Sequence, residues 1–275
     1  MIDIGGKEAT MTEEPRPETA TREAAGEVWV ESPPVRVWRA LTEGPELERW
    51  FPMHARVEPG EGGSLWMSWG NEFSEAMPID VWDPPRHLRT SWPWGNQAVV
   101  TDYWLEAEGG GTRVRVVTSG FSMDATWDDW VEGTRRGWAY ELFALKHYLE
   151  REEGKDRRAL FLRRRVRLPR EEVWERLTGE SGLAAPWTRG ERIDHAPPVQ
   201  IATVLDDPRG AMTRASVEPV HQAEPLAPGA QREYDATLWI SLWGEAGARL
   251  DAIDREWTAL LERAFPDGTT LREVK

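Results

Sequence analysis

The stretch from Asp124 to Arg151, DATWDDWVEGTRRGWAYELFALKHYLER, limits the fold more than any other part of the chain. Trp127, Trp130, Val131, Trp138, Leu142, Leu145 and Leu149 recur in steps of three and four, which places them on one stripe of an α-helix. Asp128, Asp129 and Glu132 crowd its first turns and Lys146, His147 and Arg151 its last, complementing the helix dipole. Asp124 or Thr126 can cap the start and Gly154 can end it. The dipole accounts for His147, which lies off the stripe, and the small Gly137 beside Trp138 permits close approach to a neighbour. Three tryptophans on one stripe require a large apolar surface, and the strand-like segments before the helix supply it.

Those segments follow in order. Glu27–Glu31 alternates like a strand. Ser32-Pro33-Pro34 then opens a helix with Ser32 as its cap and Val37, Trp38 and Leu41 on its apolar side. Glu46–Phe51 forms a second short helix. From residue 54 the period falls to two, through His54–Glu58, Leu65–Trp69, Glu75–Trp82, Leu88–Trp92, Gln97–Glu106 and Thr112–Thr118, with Leu88, Thr90 and Trp92 on one face. Tight turns between successive strands make the sheet antiparallel, and strands followed by one long helix form an α+β layer in which the sheet curls around the helix.

After Gly154 the opening returns. Val37, Trp38, Leu41 and Thr42 are echoed by Val173, Trp174, Leu177 and Thr178. Val30 meets Val166, Pro33 meets Pro169, Leu47 meets Leu183 and Trp50 meets Trp187. Trp138 and Leu142 are matched by Trp257 and Leu261 at a smaller offset, so a second copy is shorter. The expected organisation is a disordered acidic tail over 1–25, a full domain over 26–152, a linker near Glu153–Arg158 and a shortened, degenerate domain over 159–266. Proline clusters at 196–198 and 225–228 interrupt the second copy.

Composition narrows the chemistry. A net charge of −14 argues against nucleic acid and anionic membrane surfaces as partners. The local exception, the arginines at 157–158 and 163–167, reads as a linker and the solvent face of a strand. No run of apolar residues is long enough to span a membrane, and the first residues show no secretory pattern. The absence of cysteine excludes thiolate chemistry and suits a reducing compartment, the cytoplasm. His54, His87, His147, His195 and His221 form no triad or zinc motif, and Asp124, Asp128, Asp129 and Glu132 read as helix-start acids rather than a metal cluster. No catalytic residue, metal or cofactor is therefore expected.

SPPVRVWRALTEGPELERWF, the DPPRHL turn at 83–88, GGTRVRV at 110–116 and the GW…L..L…LE ending at 137–150 resemble the SRPBCC (START-like, helix-grip) superfamily, and within it bacterial homologues of the heat-shock protein 90 ATPase activator. The resemblance covers roughly 26–152 well and 159–266 weakly. It implies tandem helix-grip domains, each a curved antiparallel sheet around a long C-terminal helix, with an apolar molecule bound between helix and sheet. The glycine that family members often have before the DPP turn is not found at Glu75-Ala76-Met77-Pro78, and the co-chaperone's separate partner-binding domain is not recognisable in this sequence.

With 17 Trp against 4 Tyr and 6 Phe, twelve of the Trp before residue 150, the first copy is the expected binder and the second a support. The candidate wall is Trp130, Thr134 and Trp138 on the helix and Met67, Trp69, Trp92 and Tyr103 on the sheet, with Phe51 and Trp94 near the mouth. A filled aromatic core is the rival reading. The expected function is non-enzymatic binding of an apolar or aromatic small molecule between the C-terminal helix and the sheet of the first domain, and the alternative is a co-chaperone-like protein-interaction module, related to the heat-shock protein 90 ATPase activator, with a chaperone or other protein as partner.

Overall fold

The computed structural model describes residues 21–70, 74–94, 97–179, 182, 190–220 and 230–275. The acidic tail up to residue 20, Leu183 and Trp187 of the repeat, His221 and the prolines at 225–228 lie outside the described residues. The chain is α+β, with two antiparallel sheets and two long helices. In the N-terminal half come β1 (Arg22–Val30), α1 (Pro34–Thr42), α2 (Gly44–Leu47), β2 (His54–Glu58), β3 (Ser64–Ser68), β4 (Ser74–Asp83), β5 (His87–Trp94), β6 (Gln97–Glu108), β7 (Gly111–Phe121) and α3 (Asp128–His147). The C-terminal half has β8 (Arg157–Val166), α4 (Arg170–Thr178), β9 (Gly190–Ala196), β10 (Gln200–Leu205), β11 (Met212–Pro219), β12 (Tyr234–Trp243), α5 (Leu250–Ala264) and β13 (Thr269–Val274).

The first sheet runs β1-β7-β6-β5-β4-β3-β2 and the second β13-β8-β12-β11-β10-β9. Among the described residues the second sheet has no counterpart of the β2–β3 hairpin and gains β13 on the outer side of β8. The matched short helices also share a detail: Thr42 Oγ1 donates to the Trp38 carbonyl at 2.7 Å, and Thr178 Oγ1 to the Trp174 carbonyl at 2.9 Å. Two sequence expectations fail here. Ser32 makes no cap, because Pro33 occupies the position before α1. β1 starts at Arg22, inside the stretch read as tail, because Ala24 closes against Val99, Phe121 and Val131.

Helix α3 lies where the sequence places it. Asp124 accepts a hydrogen bond from the Thr126 amide at 2.8 Å ahead of the helix, a wider π turn carries it on through Tyr148–Glu152, and Gly154 follows at φ +77°. Its apolar stripe meets the first sheet. Close approach there depends on Gly26 of β1, where a Cβ would come within 2.9 Å of Leu142 Cδ1 and 3.2 Å of Trp138 Cβ. Gly137 has no such role among the described residues, since a Cβ there would meet none of them within 4 Å. At the far end, Tyr148 donates its hydroxyl to Glu46 at 2.9 Å and Arg36 joins the same carboxylate at 2.6 Å, tying α3 to α1 and α2.

The other face of α3 is covered as well. Ala202, Val204, Met212, Trp239 and Trp243 of the second sheet belong to the same core as Trp138 and Leu145. The opposite face of that sheet packs Leu160, Leu162, Leu238 and Ile240 against Leu250, Trp257 and Leu261 of α5. The layers are therefore first sheet, α3, second sheet and α5. Being covered twice, β12 is buried at every position from Asp235 to Trp243, which explains why ATLWISLW reads as a run and not an alternation.

Two further readings change with this layering. His147 is 2 % exposed and lies 3.0 Å from the Gly210 carbonyl, held between the halves rather than at a solvated helix end. The arginines at 157–165 are not a solvent face: Arg157 and Arg164 are buried, and Arg157 donates to the carbonyls of Phe51 and Pro52. Trp243 Nε1 to the Arg49 carbonyl at 2.8 Å and Lys275 Nζ to the Glu48 carbonyl at 2.8 Å add to the same seam. Among the described residues no helix is long and apolar enough to cross a membrane.

Candidate ligand-binding site

Period-two alternation turns every second residue of β5, β6 and β7 toward α3, and the antiparallel register aligns them in rows. Leu88, Tyr103 and Val116 form one row across the three strands, and Thr90, Thr101 and Thr118 the next. Trp92 stands opposite Val99 beyond them. Over the second row lies Trp138, whose indole Nε1 donates to Thr118 Oγ1 at 2.9 Å. Thr118 and Thr101 hydroxyls are 3.1 Å apart. Thr90 is 1 % exposed, and its hydroxyl has no hydrogen-bond partner among the described residues.

The expected wall separates into groups. Phe51, Met67, Trp69, Tyr103 and Trp138 join one cluster. Phe51 lies 5.2 Å from Trp69 and 5.6 Å from Trp138, and Tyr103 meets Trp138 edge-on at 5.7 Å. Trp92 and Trp130 form a second pair, 6.4 Å apart and half-buried. Thr134 joins neither group and lines a cleft on the second-sheet side of α3. The side chain of Trp94 lies outside the described residues.

Burial pushes the Tyr103 phenol up, so it stays a neutral donor. The tight His87–Asp102 pair, 2.6 Å, sits on the opposite face of the sheet, stacked on Trp104 and shared with Arg89. Burial works to raise the Asp102 carboxyl, but hydrogen bonds from Arg89 and His87 outweigh it and hold the group below its ordinary value. The four helix-start acids are all engaged: Asp124 caps, Asp128 pairs with Arg22, Asp129 with Arg232 and Glu132 with Arg135.

Sequence reasoning missed the second buried face of α3. Tyr140, Ala144 and His147 recur at steps of four and three, a signal masked by the stronger tryptophan stripe. Half-buried Glu141 lies near the boundary of the two faces, where burial drives its carboxyl up to about 8 against the pull of Arg214 and Arg157. Burial likewise holds the His147 imidazole below its ordinary value.

With this geometry in view, residues 31–150 match the family described as Activator of Hsp90 ATPase homolog 1-like protein, AHSA1. This stretch is similar to that family. Solved structures similar to the chain include MLL2253 from Mesorhizobium loti, at 24% identity over 48% of this chain and 99% of that one, TM-score 0.42. The Aha1 dimer from Colwellia psychrerythraea matches at 19% identity over 48% and 99%, TM-score 0.41. DynU16, a putative protein in the dynemicin biosynthetic locus, matches at 20% identity over 88% and 93%, TM-score 0.43. No curated protein matches the sequence. In the AHSA1-like half, the grip of the sheet on α3 and the threonine row beneath Trp138 are the features that a ligand between helix and sheet would meet.

Proposed function

We propose that this is a non-enzymatic binding protein of two helix-grip domains in tandem, 26–152 and 159–266. The first holds an apolar or aromatic small molecule between α3 and its sheet, and the second supports it. The observation that carries the reading is Thr90. A buried hydroxyl without a partner costs about 1–3 kcal/mol. A ligand with one hydrogen-bonding group recovers that cost, and half-buried Trp92 and Trp130 offer it an aromatic entrance. The His87–Asp102 pair faces away from this space, which supports binding over acid–base chemistry. Phe51, Met67, Trp69, Tyr103 and Trp138 form the apolar wall, and the cysteine-free chain suits the cytoplasm.

The test uses full-length protein and the uncharged dye N-phenyl-1-naphthylamine, with native mass spectrometry of protein from its own host to find the ligand. Thr90→Phe should fill the space and abolish dye binding, whereas Thr90→Val should keep it. Unchanged dye affinity in folded Thr90→Phe overturns the reading. Exposed Trp29 and Trp104, on the sheet's outer face, favour a second reading as a docking surface for a chaperone or other protein. In that case Trp104→Ser abolishes docking and spares the dye.

A further inference from the structure

The seam between the two halves closes on a histidine. His147 ends α3, and its ring packs 5.2 Å from Trp243 at the end of β12 and 6.4 Å from Phe143 one turn back. Val204 and Met212 of the second sheet are buried on the same seam. His147 Nε2 lies 3.0 Å from the Gly210 carbonyl, in the turn between β10 and β11. A carbonyl only accepts, so Nε2 carries the proton and Nδ1 is a bare lone pair. Nδ1 is buried and has no hydrogen-bond partner among the described residues. The ring thus uses its one donor across the seam, and no acceptor waits for a second.

The turn that meets it is well fixed. The Gly210 amide donates to the Leu205 carbonyl at 3.1 Å, the Leu205 amide to Ala211 at 2.8 Å and the Ala211 amide to Pro208 at 3.0 Å. Gly210 has φ +79°, a left-handed backbone that suits glycine, and a Cβ there would stand 3.1 Å from Glu152 Oε1. Glycine here lets the carbonyl reach the ring.

Charged groups stand around the ring on each neighbouring element. On the turn that continues α3, Glu152 lies 3.9 Å from Nε2 and is engaged by Lys155 at 2.7 Å. Arg151 of the same turn pairs with Glu191 of β9 at 3.4 Å. Asp206 and Arg209 of the β10–β11 turn and Glu245 after β12 are exposed at the same edge. Glu152 approaches from the Nε2 side and leaves Nδ1 unserved. Burial is the leading influence and holds the imidazole below its ordinary 6.5, although a helix end otherwise favours positive charge.

We propose that His147 is an acid-sensitive latch between the halves: neutral, it holds the second sheet on the end of α3, and a second proton, on Nδ1, opens the contact there. The protonated ring buries an N–H without an acceptor beside Trp243, and parting from Gly210 lets water solvate it. Above pH 6.5 the closed and open forms are both neutral, and the latch holds fully. Below it the open form takes the proton first, so the closed form loses ground by up to about tenfold per pH unit until it too is protonated. Glu141, earlier on α3, acts the other way. Its carboxyl keeps a proton up to about 8 in the closed form, which strengthens the seam as pH falls. The latch is therefore read as a difference between proteins that share Glu141.

The experiment exploits the absence of cysteine. Val204→Cys places a single thiol on the seam of the full-length chain, at a position 6 % exposed. Its labelling by 4,4′-dithiodipyridine is timed from about pH 7.5 to about pH 5, relative to free cysteine at each pH, with His147 in place and with His147→Gln. Glutamine keeps an N–H for the Gly210 carbonyl and takes no charge. The ratio of the two rates, His147 over Gln, should rise as pH falls by up to about tenfold per unit, with far-UV circular dichroism unchanged. A constant ratio overturns the proposal. A thiol placed instead by Val114→Cys, in the core of the first half, should show no such rise. An equal rise there means global unfolding and overturns the latch as well. If His147→Gln does not fold, Glu152→Gln decides. Without that carboxylate the closed form takes its second proton only at lower pH, so labelling of Val204→Cys should exceed the parent's by a margin that grows as pH falls. A margin independent of pH overturns the proposal.

Discussion

The two faces of α3 are built on opposite principles. Toward the first sheet it presents Val131, Trp138, Leu142, Leu145 and Leu149, and the sheet answers with a glycine, Gly26, so that the backbone can come close. Toward the second sheet the glycines are on the helix, at 133 and 137, and the sheet answers with arginines and hydroxyls. A glycine on the flat partner tightens a contact, whereas a glycine on the helix with no described residue within reach of its Cβ tightens none. One helix thus carries a largely apolar seam, drawn close at Gly26, and a more polar one, and their responses to mutation should differ in sign as well as size.

The largest effect should come from the apolar seam. Trp138 is buried, packs on Phe51 and Tyr103 and donates to Thr118, so Trp138→Ala should cost about 3–5 kcal/mol in chemical denaturation. A much smaller loss would mean that one side of the indole is already void. Next comes Gly26→Ala, whose methyl would press on Leu142 and the Trp138 Cβ; overpacking of this kind costs about 1–3 kcal/mol. Its counterpart on the other side of the helix, Gly137→Ala, should instead stabilise by roughly 0.5–1 kcal/mol, because the methyl meets none of the described residues within 4 Å and the helix gains propensity. Equal signs for these two substitutions would break the comparison.

The smallest effect should appear only as a pH dependence. Glu141 is held up to about 8 in the folded chain against an ordinary 4.5, mainly by burial. Between those values the folded protein retains a proton that the unfolded chain has shed. This group's contribution is therefore fully present below pH 4.5 and fades as pH rises toward 8. Glu141→Gln removes the titration, so the variant's melting temperature relative to the parent should climb between about pH 5 and pH 8. A flat difference would place the carboxyl in water.

Much of the first half was legible in the sequence. The strand His54–Glu58, the long helix with Asp124 before it and the alternation of Leu88, Thr90 and Trp92 follow from period and capping, which are local. The candidate wall was legible in part. Phe51, Met67, Trp69, Tyr103 and Trp138 converge because they share faces of adjacent elements. Thr134 sits 40° around the helix from Trp130 by helical geometry, enough to carry it toward the second sheet. The arginines at 157–165 misled because a charge run ordinarily marks solvent. Here carbonyls at Phe51 and Pro52 and the carboxylate of Asp235, all distant in sequence, provide buried partners.

By itself the sequence determined which residues share a strand face or a helix stripe, where α3 begins and ends, and that the chain opens twice in the same way. The tertiary structure decided what each face meets. It made α3 a helix with two buried sides, turned β12 into a strand covered twice, placed His147 against Gly210 and gathered arginines over Ser216. Periodicity records the geometry of one segment, but whether a polar side chain is solvated or buried depends on partners that only the docking of the two halves brings into reach.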